Sequence, residues 1–231
     1  MELAQLQQLI SDYVPRKGTL DRLEKVRLLA VVGPTAVGKT TLMNYVTALD
    51  KNIHLVLSDV SRDPRPGETD GIDYFFHSKN QMLDSLKQGL FAQVRPTFNG
   101  EIYASRADSY ATSGQSVMAI VADAMPVFRS LPFRKIRTIC IIPPSYEVWQ
   151  TRINLHGFAE AELTKRMQEA YRSFKFAYTD TQSELLLNDD LTKSCDNFLA
   201  VVRGGNPKED QRKLCETLEI IITRLEKELR I

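Results

Sequence analysis

Gly33-Pro34-Thr35-Ala36-Val37-Gly38-Lys39-Thr40 constrains this chain more than any other stretch. It fits G-x-x-x-x-G-K-[ST] without a mismatch. The apolar run Val26 to Val32 before it reads as a buried strand, and the segment after it turns into a helix. A glycine-rich loop between such elements can curl until its N–H groups point at phosphate oxygens. The helix amino end adds positive field there. Lys39 is then placed for the β- and γ-phosphates, the Thr40 hydroxyl for Mg²⁺, and Thr41 follows on the helix. A chance glycine turn is the bland alternative, but motif and context are both satisfied. Nucleoside triphosphate binding is the expectation.

The rest of the chain repeats the alternation. Ile53 to Leu57, Ser116 to Ala122, Ile136 to Ile142 and the short "ELLLN" read as strands. Between them lie helical patterns near Asn80 to Gln88, after a Ser145 N-cap, over Ala159 to Thr179, and from near Asn188 or Asp189. Leu3 to Val14 forms a first helical stripe, broken by Pro15, Lys17 and Gly18, with a second amphipathic piece from Leu20. Strands alternating with helices give an α/β fold, a parallel sheet covered on both faces. The turn-rich middle reads as an insertion at the carboxyl edge of that sheet.

Composition removes several classes. With 231 residues and 43% hydrophobic residues, a full core is available. A net charge of +1 gives no broad basic footprint, so nucleic acid is not expected as a partner. Cys140, Cys195 and Cys215 are scattered and lack metal spacing, so reduced thiols are expected. No apolar run approaches the roughly 20 residues of a membrane helix. Met1 and Glu2 lead into a helical pattern rather than a basic-then-apolar leader, and a cytoplasmic protein without a membrane partner is expected.

"SRDPRPGETDGIDYFF" (Ser61 to Phe76) is too broken by proline and glycine for a helix or central strand. Arg62 and Arg65 offer planar forks suited to a phosphate monoester, stiffened by Pro64 and Pro66, and Tyr74 can add a hydroxyl. Taken alone, the same residues would equally make a solvated turn.

Four stretches together resemble the guanylate kinase family: "GPTAVGKTTL", "SRDPRPGETDGIDYFF", "IIPPSYEVWQTRINLHG" and "NDDL" (Asn188 to Leu191). They come in family order over about Val26 to Val202. The resemblance implies a P-loop NTPase-type core over 26–57 and 116–205, with a lid at about 152–166. It implies an acceptor-binding insertion over 58–115. Helical extensions remain at 1–25 and 206–231. Gly33 through Thr41 would bind ATP, with Mg²⁺ as cofactor and Thr40 as its ligand. Arg62, Arg65, Tyr74 and Tyr103 would hold the acceptor phosphate, and Ser58, Gln93 and Ser105 would face the base. Lys39, Arg152, Arg166 and Asp123 would serve the reaction itself. GMP is the favoured acceptor.

The chain departs from the family pattern in the base pocket and the lid. The guanine-reading glutamate falls at Gln93, a second acidic position at Val121, a glutamine-glycine at Met125-Pro126, and a lid arginine at His156. A glutamine offers one accepting oxygen and a donating NH₂ where a carboxylate only accepts. Base choice is therefore expected to weaken or shift. A kinase of another phosphorylated small molecule, such as a sugar phosphate, stays open, as does a regulatory binding module. The intact Lys39 and Thr40 speak against the module. The stripe Leu214, Leu218, Ile221, Leu225 and Leu229 is expected to pack on the chain's own core, with a homodimer seam as the alternative.

Overall fold

The computed structural model describes residues 3–65, 67–97 and 100–231. Pro66, one of the two prolines expected to stiffen the arginine loop, lies outside them. In chain order the elements are α1 (Leu3–Ser11), α2 (Lys17–Leu23), β1 (Arg27–Val32), α3 (Lys39–Leu49), β2 (Ile53–Leu55), β3 (Asp59–Val60), β4 (Phe75–Phe76), α4 (Lys79–Lys87), β5 (Phe91–Pro96) and β6 (Ile102–Arg106). Then follow β7 (Gln115–Ala119), α5 (Met125–Ser130), β8 (Lys135–Ile142), α6 (Tyr146–Asn154), α7 (Glu160–Thr179), β9 (Ser183–Leu187), α8 (Leu191–Val202) and α9 (Gln211–Leu229).

The chain forms two compact units. One contains Leu28–Ile53, Val117–Pro126 and Ile136–Ile231. The parallel sheet, in the order β2-β7-β1-β8-β9, has its central strands here. β8 and β9 run parallel, with Cys140 opposite Leu185 and Ile142 opposite Leu187. Leu28 to Val32 are all buried, which is why β1 is a continuous apolar run instead of an alternating one. α9 packs against α6, α7 and β9. Its Leu214, Leu218, Ile221 and Leu225 are buried, so the apolar stripe is used inside the chain, as expected. Gln211 holds β9 from the side: its Oε1 accepts from Leu185 N at 2.7 Å and its Nε2 donates to Leu185 O at 3.0 Å.

The other unit contains Met1–Arg27, His54–Ser116 and Val127–Lys135. Its sheet has the order β4-β3-β6-β5. β3 is antiparallel to β6 and parallel to β4, and β5 is antiparallel to β6 with an irregularity between Phe91 and Gln93. One face carries a small core of Leu6, Met82, Leu86, Phe91, Ile102 and Ala104. α4 is set by a capping box, Ser78 with Gln81. The turn after it holds Gly89 at φ 67°, where a Cβ would sit 2.8 Å from Arg16 N. That close approach lets the amino-terminal segment dock: Arg16 N and the Thr19 hydroxyl both donate to Gly89 O, at 3.1 and 2.8 Å. Tyr13 donates to Phe91 O at 2.6 Å, and Arg22 Nε to Ala107 O at 2.7 Å.

Several boundaries differ from the sequence expectation for local reasons. The first helix stops at Ser11 instead of Val14, because a residue before proline disfavours the α region. Gly18, expected to break structure, lies in the first turn of α2. The strand expected over Ile53 to Leu57 leaves its sheet after Leu55, and Asp59–Val60 then join the second sheet. α5 was not anticipated; Pro126 sits in its first turn, where a missing N–H costs nothing. α8 starts after an Asp190 cap, which accepts from Lys193 N, so Asn188 is left for another role.

Leu6 is fully buried against the second sheet. Leu6→Ala should therefore destabilise the protein by about 2–5 kcal/mol, read as a lower urea midpoint. An unchanged midpoint would show that α1 does not pack as described.

Candidate active site

The phosphate loop joins β1 to α3. Gly33 has φ 155° and Gly38 φ 98°. A Cβ on Gly38 would meet Asn188 Nδ2 at 2.1 Å, so a side chain is excluded by both conformation and space. Asn188 Nδ2 donates to Val37 O at 2.8 Å, and Trp149 Nε1 donates to Thr35 O at 2.9 Å. These bonds draw loop carbonyls toward the core. Gly38 caps α3 without a side-chain hydrogen bond, so the helix start keeps N–H groups for a ligand. Lys39 folds back, donating to Gly33 O at 2.6 Å and Pro34 O at 2.8 Å. Burial lowers its pKa from 10.5 to about 8; nearby Glu169 opposes the shift and Arg166 adds to it. Thr40 and Thr41 are exposed on the first turn of α3.

The residues expected in a lid lie in the same unit. Arg152 Nη1 donates to Asn188 O at 2.9 Å. Arg166 is held between Glu162 at 2.7 Å and Glu169 at 3.0 Å, with its guanidinium over the Phe158 ring. His156 stacks on the same Phe158, with ring planes 7° apart. Asp123 is exposed and 3.5 Å from Arg172. Val121 is also exposed.

The arginine loop belongs to the other unit. Arg62 is 8% exposed, and its guanidinium lies 5.0 Å from the Tyr74 ring centroid and 5.5 Å from that of Phe76. Its Nε donates to the Tyr103 hydroxyl at 2.8 Å. Its Nη1 and Nη2 donate to the two Glu68 oxygens at 2.6 and 2.8 Å, a bidentate pair. Arg62 holds the Glu68 carboxyl below its usual range. Tyr74 meets Tyr103 edge-on at 6.2 Å, and burial raises its phenol pKa. Thus Arg62, Tyr74 and Tyr103 come together, while Arg65 is exposed and its backbone N–H donates to Glu68 at 2.8 Å.

Gln93 and Ser105 are opposite each other on β5 and β6, both buried. The Tyr110 hydroxyl donates to Ser105 Oγ at 2.8 Å. Ser58 is half-buried, and its carbonyl accepts from Phe75 N at 3.0 Å. Its neighbour Asp59 is fully buried, accepting from His77 at 2.8 Å and Arg106 at 3.1 Å. Burial raises the pKa of Asp59.

Sequence reasoning gave no role to Trp149, Asn188 or Glu68. All three lie inside stretches quoted above, so position alone flagged them. Their partners, a loop carbonyl and a guanidinium, become visible only in three dimensions.

A family model described as guanylate kinase matches residues 25–203. The guanylate kinase of Alkalilimnicola ehrlichii is 27% identical over 208 residues, covering 84% of this chain and 98% of its own. That of Trichormus variabilis is 31% identical over 170 residues, covering 71% and 83%. A crystal structure of guanylate kinase from Anaplasma phagocytophilum covers 88% of this chain and 94% of its own, with a TM-score of 0.55. At 20% identity that likeness bears on the fold alone. Matched by the family model over most of its length, the chain belongs to the guanylate kinase family.

Proposed function

We propose that this chain transfers the γ-phosphate of Mg·ATP to GMP or a related nucleoside monophosphate. The observation that carries the reading is the phosphate loop: an uncapped helix start beside Lys39, braced from behind by Trp149 and Asn188. ATP phosphates would take the loop N–H groups, and Lys39 would exchange the Gly33 and Pro34 carbonyls for phosphate oxygens. Among the described residues, no cluster of three or more His, Cys, Asp or Glu could hold a metal. Mg²⁺ would arrive on the nucleotide, with the Thr40 hydroxyl as its protein ligand. Bound there, the ion would offset charge on the β- and γ-oxygens.

The acceptor phosphate would dock on Arg62, Arg65, Tyr74 and Tyr103, with its base against Ser58, Gln93 and Ser105. Little covalent work falls to the protein; in-line placement and charge cancellation do most of it. Arg152 and Arg166 would supply positive charge from the lid over about 152–166 and help exclude water, which competes as acceptor. Asp123 is proposed near the reaction centre. Among the described residues no helix is long and apolar enough to cross a membrane. A cytoplasmic enzyme fits this substrate class.

ADP production from Mg·ATP, measured with GMP, dGMP, AMP, CMP, UMP and ribose phosphates, tests the reading. GMP-dependent turnover is expected, and Lys39→Ala should lower it by about 10²–10³-fold. Silence across the panel with ATP still bound would move the assignment to a binding module.

Gln93→Glu replaces an amide with a purely accepting group. It should raise the kcat/KM ratio of GMP over AMP by about tenfold or more, the size of one charged hydrogen bond. An unchanged ratio would remove Gln93 from base reading.

Lys39 must carry its proton to meet phosphate. With its pKa near 8, ATP affinity should be flat below pH 8 and fall above it, by at most about tenfold per pH unit. The sign follows because burial lowers the pKa of free Lys39 from 10.5, whereas bound phosphate would raise it again. Affinity that stays flat to pH 10 would contradict this.

A further inference from the structure

Arg62 is a cation almost wholly removed from water. Its side chain is 6% exposed and is enclosed by the Tyr74 and Phe76 rings. A buried guanidinium without a counter-anion is strongly destabilising. If its working partner is an acceptor phosphate, as proposed above, that partner is absent between turnovers. Something within the chain must then neutralise it.

Glu68 does so in this structure. Its two oxygens take Nη1 and Nη2 at 2.6 and 2.8 Å, the fork geometry that a phosphate also uses. The same carboxylate also accepts the backbone N–H of Arg65 at 2.8 Å, while the Arg65 side chain stays exposed. The remaining bonds of Arg62 run from Nε to Tyr103 and from Nη1 to Asp63 O at 2.9 Å. Only the second proton of Nη2 takes no part in these bonds. A phosphate that needs more than one N–H from Arg62 must therefore displace a group already there.

We infer that Glu68 is the resident anion of the acceptor clamp, occupying the Arg62 fork in the empty site and leaving it when the acceptor phosphate enters. The inference rests on the proposed acceptor role of Arg62. Three features favour exchange over permanent residence. Glu68 is a monoanion, and a nucleoside monophosphate near neutral pH is close to a dianion, so the cation gains by the swap. Glu68 is partly exposed, at 18%, so its released carboxylate returns to water. It also follows Gly67, which has φ 88° and open space around it, a hinge suited to swinging the side chain out.

Exchange has a consequence that a purely structural ion pair lacks. Every acceptor must first compete with Glu68, so the carboxylate weakens binding while protecting the empty site. Glu68→Gln removes the competitor and leaves Arg62 unneutralised when the site is empty. The variant should melt lower than the wild type in phosphate-free buffer and recover most of the difference at saturating inorganic phosphate. Its Kd for inorganic phosphate, measured by titration calorimetry, should fall by about fivefold or more. KM for GMP should fall in parallel with kcat held within about twofold. Glu68→Asp, which keeps the charge on a shorter arm, should lie between the two.

Weaker or unchanged phosphate binding in Glu68→Gln, with GMP turnover intact, would overturn the exchange and make Glu68 a permanent positioning partner. Loss of phosphate binding in wild type and variant alike, together with no GMP turnover, would remove the acceptor reading itself. A crystal structure of the wild-type protein with phosphate decides the matter without any variant: a Glu68 still paired with both Arg62 nitrogens would sink the proposal.

Discussion

A loop that offers its amides to a ligand cannot spend them on itself, so its shape has to be held by its carbonyls. That constraint organises the larger unit. Trp149 takes the carbonyl of Thr35 and Asn188 that of Val37. Asn188 comes so close to Gly38 that no other residue fits there. Its own backbone is fixed in turn, with Asn188 N on Ile142 O and Arg152 on its carbonyl. The ends of β8 and β9, Trp149 and Arg152 of α6, and the loop after β1 thus share one set of hydrogen bonds. Moving any of these would loosen the loop before touching a ligand.

The smaller unit solves a different problem. Its sheet is short and must present a buried arginine, so it borrows stiffness from both sides. Aromatic rings enclose Arg62, while Tyr13, between α1 and α2, and Thr19 and Arg22 of α2 bond to the backbone around the start of β5 and just after β6. The amino-terminal helices are therefore part of the support for Gln93, Tyr103 and Ser105, whatever else they do.

What could be read from sequence divides along the range of the interactions. β1, β8 and α7 were legible because their signal is local: continuous apolar runs for buried strands, a long amphipathic period for the helix. The turn between β1 and α3 was legible because its conformation demands glycine at fixed positions, with positive φ at Gly33 and Gly38. α5 was not, since Pro126 reads as a break until the helix start is known. Nor were the sheet change after Leu55 and the docking of α1, which rest on contacts distant in sequence. In the arginine loop the residues were identified but their state was not. Arg62 reads as an open fork, and the structure closes it with Glu68, six residues on.

β9 lies at one end of its sheet, and an unpaired strand edge is a template for any passing chain. Gln211 answers both the N–H and the C=O of Leu185 with a single amide, which makes the side chain a counterfeit strand one residue long. The first residue of α9 thereby seals part of the edge where another molecule would otherwise add. With both backbone groups of Leu185 already bonded, a strand adding at that edge would first have to displace Gln211.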